Sequence, residues 1–377
     1  MTTQVLTFTV LPALKLENTQ GESCGTIRLQ GASSSHIPIP PGKMAIKIPD
    51  MFKSFMSASP KINPFYEEVK VEAEHRIAKG NWTPSDKMKN IISQDRLRLF
   101  CAVAVPDAGR DELRTLCDWG NWVFPFDDIF DNGNLKDDPN AARKVMDDLL
   151  LVMRGGARDE NVSAFIEIHD AVWDRVTKTS TRAVQSRFLD AMIEYCDGAL
   201  EHVVHHSEAR NPCLSEYLDV RRQGVGVTPV ITLMEYALQL KIPAHVYEYE
   251  CFEKLKRVVI DVVLIQNDII SYKKEQAEGV PHNLITVLRN GGMTTQQAFN
   301  RAGEMLDECY LEWLNAKAGS PQGTEVAKFV EGTRTIMLAS LHWHFRPDRY
   351  FGEMNDIWVV AGRFGISDLD DDVQEAR

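Results

Sequence analysis

The stretch VVIDVVLIQNDIISYKKE (residues 258–275) joins a long apolar run to a polar end. Its apolar residues recur at spacings of three and four, which predicts a helix. Within the polar end, Asn267, Ser271 and Glu275 stand at i, i+4 and i+8, so their oxygen atoms share one stripe of that helix. An amide, a hydroxyl and a carboxylate in one row can chelate Mg²⁺. A lone stripe of this kind, however, is more often the polar face of an amphipathic helix.

A second polar pattern, FPFDDIFDNG (124–133), lies far earlier in the chain. Asp127 and Asp131 are spaced i, i+4 on a helix, with Asp128 beside them. Carboxylate oxygens are hard ligands that suit Mg²⁺ rather than zinc. A solvated helix end is the alternative interpretation, because acidic pairs recur elsewhere in the chain. The aromatic residues before the aspartates favour a helix end at the mouth of a cavity.

The rest of the chain indicates one helical domain. Strand-like alternation is scarce, and no repeat or internal linker stands out after about residue 50. We predict an all-α domain over residues 44–351, preceded by a flexible N-terminal arm (1–43) rich in Ser, Thr, Pro and Gly, and followed by an acidic C-terminal tail (352–377). The clearest helical patterns cover residues 94–105, 111–130, 141–153, 163–176, 181–206, 245–278, 294–318 and 324–345.

Composition excludes several classes of function. The net charge of −12 disfavours nucleic acid and anionic membrane surfaces as partners. The seven cysteines are scattered without a CxxC pair, which predicts reduced, mostly buried thiols and a cytoplasmic location. No uncharged apolar run reaches the roughly 18 residues of a membrane helix, so we expect no stable membrane insertion. The N-terminus lacks the pattern of a signal peptide, and no GxSxG motif or P-loop occurs.

Taken together, DDIFD (127–131) and NDIISYKKE (267–275) resemble the aspartate-rich and "NSE" metal motifs of class I terpene synthases. The resemblance covers about residues 45–351. It is closest to fungal sesquiterpene cyclases, including enzymes that make presilphiperfolanol-type alcohols. It implies an all-α, single-domain helical bundle whose central active-site cavity binds a prenyl diphosphate through three Mg²⁺ ions.

The resemblance also assigns roles to individual residues. The implied metal ligands are Asp127 with Asp128 or Asp131 for two ions, and Asn267, Ser271 and Glu275 for the third. The family places an arginine that senses diphosphate at a helix break with glycine. In YLDVRRQGVGVTP (217–229), Arg222 fits this position best and Arg221 is the alternative. The Arg-Tyr pair that closes the catalytic part is Arg349 and Tyr350, and Lys274 could bind a phosphate oxygen as a point charge.

Aromatic residues near these motifs suit carbocation chemistry, because ring faces stabilise cations without attacking them. Phe124, one turn before Asp127, and Trp343, before the Arg-Tyr pair, are candidate cavity walls, and plain core packing is an equally good interpretation. Pro125 is a departure, since proline inside a helix predicts a kink that could re-aim the carboxylates.

The predicted function is Mg²⁺-dependent ionisation and cyclisation of farnesyl diphosphate to a cyclic sesquiterpene hydrocarbon or alcohol, with release of diphosphate. One alternative is a chain-elongating prenyltransferase, which would need a second aspartate-rich motif in place of NDIISYKKE. The other is a non-catalytic helical scaffold that binds Mg²⁺, which diphosphate with Mg²⁺ would not stabilise against melting. Both a monomer and a homodimer are compatible with the sequence.

Overall fold

A bundle of α-helices with a small sheet at one side makes up the described part of the chain. The computed structural model describes residues 45–79, 96–131, 133–158, 164–208, 210–280, 282–345, 357–360 and 363–367. The helices in these residues are α1 (Tyr66–Lys79), α2 (Arg96–Ala104), α3 (Arg110–Asp131), α4 (Pro139–Leu150), α5 (Ala164–Thr179), α6 (Arg182–Ser207), α7 (Leu214–Gly224), α8 (Val227–Ala237), α9 (Glu250–Glu278), α10 (Leu284–Asn290), α11 (Thr295–Ala318) and α12 (Thr324–His344). The prediction of an all-α fold is confirmed.

Local sequence signals explain where several helices begin and end. Thr294 and Gln297 form a reciprocal capping box at the start of α11. The Asp138 side chain accepts a hydrogen bond from the Ala141 N–H, and thereby caps α4. Gly279 ends α9 with a φ of 73°, a backbone conformation that favours glycine. The predicted helix at 245–278 is interrupted near its start, where a short 3₁₀ turn (Ala244–Glu248) precedes α9.

Three short strands form an antiparallel sheet that the sequence analysis did not predict. The strands are β1 (Ala45–Ile48), β2 (Ile357–Val360) and β3 (Arg363–Ser367), in the order β1-β3-β2. The Gln296 side chain of α11 exchanges two 2.9 Å hydrogen bonds with the Lys47 backbone and so attaches β1 to the helices. Strands of four or five residues show too little alternation to be read from sequence. Two of them lie in the segment interpreted as a tail.

The helices that carry the two polar patterns pack against the same central helix. Every residue of α8 except Thr228 is buried. This helix contacts α3, α6, α9 and α12. A helix that is buried on almost every side belongs in the core of a large domain. Both α3 and α9 are therefore positioned by contacts with α8, although they are distant from each other in sequence.

The predicted glycine-containing helix break is present between α7 and α8. Gly226 has a φ of 74°, which favours glycine at this turn. A Cβ atom placed on Gly198 of α6 would lie 2.4 Å from the backbone nitrogen of Gly224, so these two helices touch through their backbones. The break and this contact fix the last turn of α7, with Arg221 and Arg222, against α6.

Several other expectations concern local features. Pro125 is buried inside α3, which continues through it to Asp131. The described cysteines are free thiols, of which Cys101, Cys117, Cys196 and Cys309 are buried and Cys213 is exposed. Among the helices that the structure describes, none is both long and apolar enough to cross a bilayer. The N-terminal arm (1–43) lies outside the described residues, and its boundary stays a prediction.

One buried histidine of the core is placed to make the fold sensitive to acid. His169 of α5 is fully buried with its ring 4.7 Å from that of Trp122. Neither ring nitrogen has a hydrogen-bond partner among the described residues. Burial, with a smaller contribution from the charge of Arg158, lowers the pKa of His169 to about 3 from its ordinary 6.5. The folded protein therefore holds this ring neutral where the unfolded chain would protonate it.

We expect stability to fall as the pH drops from 6.5 towards 3, because the unfolded chain binds a proton that the folded chain excludes. The His169→Leu variant should escape this loss. Between pH 7.5 and pH 5, the native protein should lose about 2 kcal/mol more unfolding free energy than the variant. Urea denaturation at the two pH values measures the difference. His245→Leu, at an exposed histidine, is the control, and equal losses in the native protein and His169→Leu would contradict the prediction.

Candidate active site

The aspartates lie at the C-terminal end of α3, beside a buried row of aromatic rings. Trp122 and Phe126 stack with centroids 4.7 Å apart, and Phe130 follows at 4.8 Å from Phe126. These rings anchor one side of the helix in the core. Asp127 and Asp128 are half-buried and Asp131 is exposed, so their carboxylates lie at the edge of the packed region.

Two side chains of α6 support this end of α3. The Tyr195 hydroxyl donates a hydrogen bond to the Asp127 carboxylate. Burial and the negative charge of Asp127 raise the pKa of Tyr195 well above its ordinary value, so the phenol stays neutral and remains a donor. His202 Nδ1 lies 3.8 Å from Asp131 Oδ1. No sequence signal pointed to either residue, because α6 shows only its helical periodicity.

The polar stripe of α9 is largely shielded from solvent. Ser271 is buried, and Glu275 is half-buried. Burial first, and then the nearby charge of Asp268, raise the pKa of Glu275 to about 7. A carboxylate that is costly to keep ionised in this environment would be stabilised by a bound cation.

Arg221 joins the two polar patterns. Its Nη2 donates to Asn267 Oδ1 at 2.8 Å and lies 3.4 Å from Asp268 Oδ1. Burial opposes a charged guanidinium, but the charges of Asp268, Glu275 and Asp131 together raise the pKa of Arg221 above its ordinary value. The charge of the Arg221 guanidinium is therefore stabilised by carboxylates of both α3 and α9.

Arg222 points away from this cluster, contrary to the preference drawn from the sequence. Its Nε donates to Asp261 Oδ1 at 2.6 Å, and its Nη1 lies 3.4 Å from Asp219 Oδ1. Successive residues on a helix are rotated by about 100°, and the side chains of these two neighbouring arginines leave α7 in different directions. The structure brings Arg221, the alternative, into contact with Asn267.

Asp268 lies between two predicted ligands and anchors three helices. It is fully buried and accepts hydrogen bonds from the Tyr217 hydroxyl of α7 and from the Leu284 N–H, at 2.8 Å, at the start of α10. Burial raises the pKa of this carboxyl, an effect that the charge of Arg221 and these hydrogen bonds oppose. Asp268 thus fixes the orientation of α9 relative to Arg221.

An aromatic corner connects α3 with the end of α12. The ring centroids of Phe124 and Trp343 are 5.4 Å apart, and Phe100 meets Trp343 edge-on at 6.3 Å. The next residue, His344, donates through Nδ1 to the Ser340 carbonyl at 2.7 Å, which leaves Nε2 to accept from Asn267 Nδ2 at 3.1 Å. The structure therefore brings Phe124 and Trp343 together near Asn267. Phe100 and His344 were missed by sequence reasoning.

Part of the chain matches the model of a known protein family. The family model described as terpene synthase family 2, C-terminal metal binding, matches residues 118–312, which run from α3 into α11 and include Arg221 and the stripe of α9. The chain belongs to the terpene synthase family. It is a class I terpene cyclase, a lyase.

Curated relatives match this terpene synthase over most of its length. Silphinene synthase of Penicillium patulum is 35% identical, with 86% of this chain and 90% of that protein covered. The (+)-eremophilene synthase of Gibberella fujikuroi is 38% identical over 86% of this chain and 94% of its own. The crystal structure of a linalool/nerolidol synthase from Streptomyces clavuligerus, in complex with 2-fluorogeranyl diphosphate, shares the fold with a TM-score of 0.67. At 17% identity it covers 75% of this chain and 99% of that one.

The donor atoms of this terpene synthase fit a hard divalent cation by their chemistry. They are carboxylate, hydroxyl and amide oxygens, and the half-buried Glu275 carboxylate would gain from a cation nearby. Within the described ranges, no three His, Cys, Asp or Glu side chains already converge as a metal cluster. The donors instead stand on two helices, α3 and α9, and Arg221 contacts the α9 side at Asn267 and Asp268. A cation and an anionic ligand would have to complete the site.

Three predicted diphosphate-binding residues remain, of which the structure describes only Lys274. Lys274 is half-buried, and its Nζ lies 3.4 Å from Glu278 Oε2, one turn further along α9. Arg349 and Tyr350 lie outside the described residues, so their roles in this terpene synthase stay predictions.

Proposed function

We propose that this terpene cyclase ionises farnesyl diphosphate in the presence of Mg²⁺, releases diphosphate and closes the resulting cation to a cyclic sesquiterpene hydrocarbon or alcohol. The observation that carries the proposal is the position of Arg221. It contacts Asn267 of α9 at 2.8 Å and is influenced electrostatically by Asp131 of α3. A permanent cation in contact with one set of oxygen ligands, and within electrostatic reach of the other, suits a polyanionic leaving group. The sesquiterpene synthase relatives support the choice of substrate.

The ligands proposed for three Mg²⁺ ions are the residues named from the two motifs. Asp127 with Asp128 or Asp131 would hold two ions, and Asn267, Ser271 and Glu275 would hold the third. Bound Mg²⁺ would neutralise the charge that develops on the departing diphosphate.

Protein groups complete the proposed diphosphate site. Arg221, in place of Arg222, would donate hydrogen bonds to phosphate oxygens, because a guanidinium can bind them in a bidentate manner. Lys274, Arg349 and Tyr350 would add further donors. Tyr195 keeps the Asp127 carboxylate in place through its hydroxyl. These groups act on the departing charge, where preorganised donors contribute most to catalysis.

The aromatic corner would serve the second half of the reaction. Phe124 of α3, Trp343 of α12 and Phe100 of α2 pack ring against ring, and would offer ring faces and apolar edges to the cation. Such rings stabilise a passing positive charge without bonding to it. The last cation would be quenched by loss of a proton, which diphosphate can accept, or by capture of one water molecule.

Product analysis tests this function directly. The purified protein is incubated with geranyl, farnesyl and geranylgeranyl diphosphate, each with Mg²⁺ or with a chelator, and volatile products are identified by gas chromatography–mass spectrometry. We expect a cyclic sesquiterpene from farnesyl diphosphate only when Mg²⁺ is present. A cyclic product from another substrate alone would overturn the choice of farnesyl diphosphate. A lengthened linear diphosphate would indicate the elongating alternative.

A further inference from the structure

Asn283 connects the start of α10 to the ligand stripe of α9. It is fully buried. Its Nδ2 donates to the Asp268 carbonyl at 2.8 Å and to Glu275 Oε2 at 3.0 Å, and lies 3.5 Å from Ser271 Oγ. Its Oδ1 accepts from the Ile285 N–H at 2.8 Å. One side chain outside both motifs thus contacts two of the three proposed ligands of the third ion.

The Asn283 amide is held at both ends. The amide carries two N–H donors, and the two shorter contacts use them, so Ser271 is a polar neighbour rather than a strong partner. The adjacent Leu284 N–H bonds to Asp268 Oδ2 at 2.8 Å, which pins the same turn to α9. Rotation of the amide would break several of these bonds at once, and the Glu275 carboxylate therefore has a fixed partner.

Helix capping alone does not explain why this position carries asparagine. The caps of α4, α6 and α11 use Asp138, Thr181 and Thr294, whose oxygen atoms accept from the first turn. Aspartate at this position would have no N–H group to donate to Glu275. The side chain of serine or threonine would be too short to cap the helix and also reach the Glu275 carboxylate. Asparagine supplies a cap oxygen and two donors in one group.

We propose that Asn283 is a positioning residue for the third Mg²⁺ site of this cyclase, which holds the Glu275 carboxylate beside Ser271 and so raises the affinity for the ion. The inference rests on the proposed function. Partners that orient metal ligands through a second layer of hydrogen bonds typically change metal affinity by about 10- to 100-fold. Asn283 would act through Glu275 and Ser271 and would not touch the substrate.

The test compares Asn283→Ser with Thr294→Ala. The serine variant keeps a cap oxygen for α10 but cannot reach Glu275. The Thr294→Ala variant loses a cap of similar type at the start of α11, where it contacts no proposed ligand. The melting temperature is measured while Mg²⁺ is titrated at a fixed concentration of inorganic pyrophosphate, and calorimetry of the same titration gives the affinity.

We expect Asn283→Ser to need about 10- to 100-fold more Mg²⁺ for half-maximal stabilisation, and Thr294→Ala to match the native protein. Serine and native proteins with equal Mg²⁺ requirements would overturn the positioning role alone. A native protein that pyrophosphate with Mg²⁺ does not stabilise would overturn the proposed function as well. If the serine variant does not melt cooperatively, Asn283→Thr replaces it, with the same two outcomes.

Discussion

Asp127→Asn is expected to lower kcat/KM for farnesyl diphosphate by about 100-fold or more, as removal of one preorganised electrostatic contact does in other enzymes. Asparagine keeps an oxygen that can accept the hydrogen bond from the Tyr195 hydroxyl, so the packing of α3 against α6 is retained. It removes the negative charge that a cation at this end of α3 requires. Steady-state kinetics at saturating Mg²⁺ measures the loss.

A matched control comes from the other end of the same helix. Asp111 lies in the first turn of α3, where its side chain is 85% exposed and pairs with Arg110. Asp111→Asn should leave turnover unchanged. Normal Mg²⁺-dependent turnover in Asp127→Asn, with both variants melting near the native temperature, would refute the metal assignment on α3.

The second large expected effect is a loss of turnover on replacement of Arg221 that replacement of the adjacent Arg222 should not cause. Arg221→Lys should lower kcat/KM by about 10- to 100-fold, because lysine keeps the charge but loses a fork of N–H donors worth about 1.5–3 kcal/mol per charged hydrogen bond. Loss of an interaction made to the departing diphosphate should appear mainly in kcat. Rapid-quench or steady-state assays with farnesyl diphosphate separate kcat from KM.

Arg222→Lys is the natural control, one position further along α7. Arg222 binds Asp261 and Asp219, outside the ligand cluster. We expect its replacement to weaken the contact between α7 and α9 slightly, while turnover stays close to that of the native protein. An equal or larger loss of kcat in Arg222→Lys than in Arg221→Lys would show that the diphosphate is held from the opposite side of α7.

The sequence was sufficient to predict features that depend on the periodicity of a single helix. The helical periodicity located α3, α9 and α11 to within a few residues, and i, i+4 spacing placed Asn267, Ser271 and Glu275 on one stripe. Which of Arg221 and Arg222 contacts Asn267 was not predictable, because it depends on the rotation of α7 about its axis. The backbone contact at Gly198 holds the end of α7 close to α6.

Residues that contact a motif from a different helix could not be predicted from the spacing of residues in the sequence. Tyr195, Asn283 and His344 each come from a different helix or helix start and reach a motif through one or two hydrogen bonds. Such pairs are set by tertiary packing, for which a single sequence gives no periodic signal. The strand β1 was missed for a related reason, since its partner β3 lies near the other end of the chain.

The backbone contact between Gly198 and Gly224 concerns two properties of this enzyme, the generation of the first cation and the choice of product. The close approach between the helix that carries Tyr195 and the helix that carries Arg221 depends on the absence of a side chain at Gly198, where an added Cβ atom would meet the Gly224 backbone and Gln223. Under the proposed function, substitutions at Trp343 or Phe100, which lie on other helices, would reshape the space in which the hydrocarbon folds without changing this helix contact. A scaffold of this kind can change its product in small steps while it keeps the ability to generate the first cation.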